Sequence, residues 1–139
     1  MNPQQADTGQ ELRALLIAED GTATPVTLPG GLRTENAVQA AIAQHLGGPS
    51  QLDPCAPECA PDIHFATVGL LEHPPAGAPR NEAATAVVET LRHVTLAEPV
   101  RGPALVMGPA ADGGVPTSLD PGRQWAIQVF VATWLTLLA

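Results

Sequence analysis

At 139 residues the chain has room for one domain. Its formal net charge of -8, from fourteen acids against six bases, argues against direct nucleic-acid binding, which needs clustered cations to neutralise phosphate. Apolar types reach 45% while aromatics make up only 3%, so the core of such a domain, which buries roughly two thirds of the unfolded surface, must be aliphatic.

In chain order, residues 1–10 are polar and read as a disordered leader, with 11–139 as a single domain. The leader lacks the basic start and apolar stretch of a secretory signal, so a cytoplasmic location is expected. Residues 12–18 have the apolar density of a buried strand; Glu19-Asp20-Gly21 supplies a tight turn, and 22–28 is the hairpin partner, restricted by Pro25 to a sheet edge. Thr34 starts a helix whose apolar stripe is Ala37, Val38, Ala41, Ile42 and Leu46, ended by Gly47-Gly48. Residues 48–62 read as a Pro-rich loop carrying both cysteines. Residues 63–71 form a second strand or hairpin, and 74–79 another loop.

Asn81 caps a second helix over 82–93 that buries Ala83, Ala84, Val87, Val88 and Leu91. Residues 103–108 make a short apolar strand. After a loop at 110–118, Asp120 caps the last helix, with Pro121 in its first turn, where a missing amide hydrogen costs nothing. This order predicts an α+β fold: a mostly antiparallel sheet with about three helices packed on one face.

Chemical signatures are sparse. Cys55-Ala-Pro-Glu-Cys59 followed by His64 offers two thiols and an imidazole, three of the four ligands that zinc takes; Asp53, Glu58, Asp62 or a second copy of the chain would supply the fourth. The leading reading is nevertheless a pair of inert free thiols; the zinc site comes second, and a disulfide or redox switch, which does not suit a reducing compartment, third. His45 and His93 fall in the last turns of helices, where the helix dipole favours a cation. Neither serine, Ser50 or Ser118, sits in a nucleophile elbow. Every base is an arginine (Arg13, Arg33, Arg80, Arg92, Arg101, Arg123), so the glycine pairs cannot belong to a lysine-bearing phosphate loop. Together with the many alanines and prolines, this bias points to a high-GC bacterial genome, or a phage or plasmid adapted to one.

The strongest signal is the end of the chain. Residues 124–139 carry no charge and include both tryptophans, Trp125 and Trp134, and one of the two phenylalanines, Phe130. The stretch is shorter than the roughly 20 residues of a membrane span, so no membrane partner is expected. A helix apolar around most of its circumference is covered on several sides. One side packs on the sheet; another is then free to meet a second copy in a homodimer, with Trp125, Phe130, Val131, Trp134 and Leu138 as interface residues. The alternative is a central core helix in a monomer. The leading functional expectation is a non-enzymatic protein-binding protein. The others are an acidic decoy that mimics DNA toward a host DNA-binding enzyme, and a small zinc protein built on Cys55, Cys59 and His64.

Four segments, Leu12-Arg-Ala-Leu-Leu-Ile-Ala-Glu-Asp-Gly21, the helix ending in Gly47-Gly48, Arg80-Asn-Glu-Ala-Ala-Thr-Ala86 and Arg101-Gly-Pro-Ala-Leu-Val-Met-Gly108, resemble in their order and spacing the small domain of unknown function numbered 3846. That domain is frequent in actinobacterial phages and plasmids. The resemblance covers about 12–119; the cysteine loop and the apolar last helix depart from the pattern. It implies a mobile-element origin and an accessory or host-interaction role, and it carries over no catalytic residue.

Overall fold

The computed structural model describes residues 12–28, 35–47, 50–56, 60–68, 77–109 and 117–138, with the side chains of 35, 36, 38, 39, 50–56, 60, 61, 68 and 138 outside the description. The expected leader, the Thr34 cap, Gly48, the end of the strand expected at 63–71, half of the loop expected at 74–79 and most of that at 110–118 lie outside the described residues. Leu12–Ile17 (β1) and Ala23–Leu28 (β2) pair as an antiparallel hairpin, Leu15 opposite Pro25. Ala18 N–H donates to Thr22 O at 2.9 Å, Gly21 N–H returns to Ala18 O, and Gly21 takes φ +91°, a backbone that glycine adopts without a Cβ penalty. The Asp20 carboxylate accepts the Thr22 hydroxyl and N–H at 2.7 and 3.0 Å, which holds its pKa below the ordinary carboxylate value.

The remaining elements are Glu35–Leu46 (α1), Ser50–Ala56 (β3), Ala60–Val68 (β4), Glu82–Arg92 (α2), Ala104–Met107 (β5) and Pro121–Leu138 (α3). The strands form one sheet in the order β2-β1-β5-β4-β3, every neighbouring pair antiparallel. Two hairpins, β1-β2 and β3-β4, thus flank the last strand, and β5 joins them by pairing with β1 on one side and β4 on the other.

Two expectations are corrected by this arrangement. The Pro-rich stretch 48–62, where a loop is expected, contains β3 and the start of β4. Pro54 is tolerated because β3 lies at the sheet edge, where only one side of the strand needs ladder bonds, and the pairing slips between Pro54 and Ala56. Nor do the helices cover a single face. The central strands are apolar on both sides, with Leu15, Ile17, Ile63, Phe65, Ala104 and Val106 in one cluster and Ala14, Ala66, Leu105 and Met107 in the other. Strands of that kind need cover above and below. Ile42 and Leu46 of α1 cover one face, while Ala83, Val87 and Val88 of α2 and Ile127 and Val131 of α3 cover the other.

Asn81 locks the second helix to this sheet. Its side chain is fully buried; Nδ2 donates to Ile17 O and Gly102 O, each at 2.9 Å, and Oδ1 accepts Ala84 N–H at 3.0 Å. Beside it, the Thr85 hydroxyl donates to Asn81 O and accepts Val100 N–H, both at 2.8 Å. The cap foreseen from sequence is therefore also a tie between the end of β1, the approach to β5 and the start of α2. Buried amides persist only when their hydrogen-bonding groups are matched in this way.

Candidate functional site

The last helix is held at both ends. Asp120 Oδ2 accepts Arg123 N–H at 3.1 Å, as an N-cap does, and the Arg123 guanidinium meets Asp62 at the start of β4 in a two-pronged pair, Nε–Oδ2 2.8 Å and Nη2–Oδ1 3.1 Å. The Arg123 hydrogen bond holds the Asp62 carboxyl below its usual pKa, and Asp62 in turn raises that of Arg123. Farther along, Ile127 and Val131, one turn apart, sink into the core at 6% and 2% exposure. Near the end, Leu135 Cδ1 lies 3.1 Å from where a Cβ on Gly21 would stand. Helix α3 therefore crosses the sheet from β4 to the first hairpin turn.

Its other side faces outward. Trp125 is 68% exposed, Val129 43% and Leu137 81%, and Ala132, Thr133 and Thr136 are exposed as well. Arg123 is the one charged residue of the helix, and it is occupied by Asp62. The outward surface is thus uncharged along its length.

The residues expected at the interface separate. Trp125 stands on the outward side. Phe130 and Trp134 are half-buried, packed against the core cluster and bordering a hollow shared with Glu89 and His93 of the α2 end. Val131 is part of the chain's own core, so it leaves the surface set. The side chain of Leu138 lies outside the description. Val129, Ala132, Thr136 and Leu137 join the outward surface instead. In a helix apolar on nearly every side, hydropathy does not mark which direction meets the sheet.

The zinc ligands are placed only in part. Cys55 lies in β3 at the slipped pairing between Pro54 and Ala56, His64 stands in β4 opposite Pro54 and Met107, and Cys59 lies outside the described residues. Among the described residues, no group of three His, Cys, Asp or Glu side chains comes together. Of the described acids, Asp20, Glu89 and Asp120 each accept a local hydrogen bond, Glu89 from Leu96 N–H at 2.8 Å, and Asp62 accepts from Arg123. Carboxylates committed in this way stabilise turns, caps and the α3 anchor.

No family model, curated protein or solved structure matches the chain. What the site can do follows from its side chains. Among the described residues no helix is long and apolar enough to cross a membrane, and an uncharged, ridged helical surface with an exposed tryptophan suits burial against another protein surface.

Proposed function

We propose that the chain is a non-enzymatic protein-binding protein that works as a homodimer paired through the outward face of α3. The observation that carries this reading is the exposed, charge-free surface containing Trp125, Val129 and Leu137. A surface without charge meets a copy of itself with no electrostatic penalty, and two-fold pairing is the commonest way to bury such a patch. An accessory role in a bacterial mobile element or phage goes with the proposal, and its support is the ordered resemblance of four segments described above.

The test is the native mass by light scattering at tens of micromolar, for the unsubstituted chain and for Trp125→Glu. The expected result is a dimer for the first and a folded monomer for the second. A buried interface tryptophan contributes about 2 kcal/mol or more, and a two-fold dimer contains two, so even Trp125→Ala should raise the dissociation constant about a thousandfold. A monomeric unsubstituted chain would refute the proposal, and a dimeric Trp125→Glu would move the interface elsewhere. Trp134, half-buried against α2, is the poorer choice for this test because its loss also disturbs the fold.

A further inference from the structure

The outward face of α3 has a pattern that specifies how two copies meet. Trp125, Val129, Ala132 and Thr136, all exposed, are spaced four, three and four residues apart, the spacing of a coiled-coil seam. At 3.6 residues per turn they fall within an arc of about 60°, on the side away from Ile127 and Val131. The Thr136 hydroxyl donates to Ala132 O at 2.9 Å within its own helix, which satisfies its polar group locally and suits Thr136 to an apolar contact. Two of the four residues are large and two small, and the large ones come first in the chain.

We propose that α3 pairs with α3 of a second copy in antiparallel orientation, about a two-fold axis passing between Val129 and Ala132. The inference rests on the self-association proposed above and adds its direction and register. Antiparallel pairing sets Trp125 against Thr136 and Val129 against Ala132 of the other copy, so each large side chain meets a small one and the layers interlock. Parallel pairing sets tryptophan on tryptophan and alanine on alanine, which forces the helices apart at one end and leaves a void near the middle. It also aligns the two helix dipoles, whereas antiparallel pairing opposes them. The small Ala132 beside the axis permits the close approach, about 8–10 Å between helix axes, that such packing uses. The seam runs about 16 Å at 1.5 Å per residue, and its flanking residues, Gln124, Ala126, Gln128 and Thr133, are uncharged.

Disulfide trapping reads the register directly. Chains bearing either Val129→Cys or Ala132→Cys are oxidised separately and as an exchanged equimolar mixture. Linkages are assigned by peptide mass mapping, which sets aside any bond formed by Cys55 or Cys59. The expected result is a 129-to-132 link that forms in the mixture and in neither chain alone. Self-linking of either chain to the same extent as the mixture would establish a parallel pair and overturn the proposal. So would dimers that give no link in the mixture. A second measurement leaves the seam intact: a nitroxide on Pro121→Cys, in a Cys55→Ser/Cys59→Ser background. The two labels lie about 30 Å apart in the antiparallel pair and about 10 Å apart in a parallel one, and the short distance would overturn the proposal. Light scattering on the unsubstituted chain separates the two claims, since a monomer refutes self-association itself while a dimer with the wrong linkage or distance refutes only the register.

Discussion

Replacing Asn81 by alanine removes three hydrogen bonds from a fully buried site: those to Ile17 O and Gly102 O and the one from Ala84 N–H. Each partner left unmatched away from water costs about 1–3 kcal/mol, and loss of an N-cap alone costs about 1 kcal/mol. The three are neighbours and share any relaxation, so the low end of each range applies. A total of about 3–5 kcal/mol is expected, against a whole-domain stability of about 5–15 kcal/mol. Urea unfolding followed by the fluorescence of Trp125 and Trp134, at matched protein concentration, reads the loss. With a slope of about 1.5–2 kcal/mol per molar for a domain of this size, the midpoint should fall by about 2 M.

Asn81→Asp is a sharper form of the same test. It keeps the shape and the Ala84 cap but turns a carboxylate oxygen toward two carbonyls, so it should destabilise at least as much at neutral pH. Burial and those carbonyls raise the folded-state pKa of the new acid above its unfolded value of about 3.9. The penalty is therefore full above the folded pKa and shrinks as pH falls through it, because the folded protein takes up the proton first. A midpoint for Asn81→Ala within about 0.5 M of the unsubstituted chain would refute the reasoning. It would mean that the site gains no more from Asn81 than an exposed cap gains.

Other perturbations follow from single contacts. A Cβ at Gly108 would fall onto the Ser118 carbonyl and within 2.7 Å of Thr117 Oγ1, and because the first obstacle is backbone, Gly108→Ala should cost about 2–3 kcal/mol of unfolding free energy. His93 ends α2 in the left-handed region at φ 58°, so His93→Gly should stabilise by up to about 1 kcal/mol, seen as a higher melting temperature; an unchanged or lower one contradicts the strain argument. Asp62 and Arg123 are each about 40% exposed, so solvent screening limits their pair to about 0.5–1 kcal/mol. Since the folded-state pKa of Asp62 is lowered, that contribution should be present above about pH 4 and lost as pH falls through the lowered value. Asp62→Asn should accordingly destabilise at pH 7, by an amount that shrinks as pH falls through the lowered value.

Much of the local structure was legible in the chain. The Glu19-Asp20-Gly21 turn, the Asn81 and Asp120 caps, the apolar stripe of α2 and the confinement of Pro25 to an edge strand all depend on residues close in sequence, whose backbone preferences act without the rest of the fold. The strand β3 was missed because Pro54 argues against a strand anywhere except at an edge, and edge position is a property of the assembled sheet. Asn81 was readable as a cap. Its two bonds to Ile17 O and Gly102 O were not, because those carbonyls come from distant parts of the chain.

The same division governs the candidate site. Composition by itself determined that residues 124–139 would carry no charge and would be apolar in nearly every direction. Only the tertiary structure decided which side the sheet takes. Anchored by Asp62 at one end and reaching the Gly21 turn at the other, α3 turns Ile127 and Val131 inward and leaves Trp125, Val129, Ala132 and Thr136 facing out. The physical reason is that burying apolar surface is favourable in any direction. A helix apolar all round therefore has no preferred face until an ion pair and the shape of the surface beneath it select one.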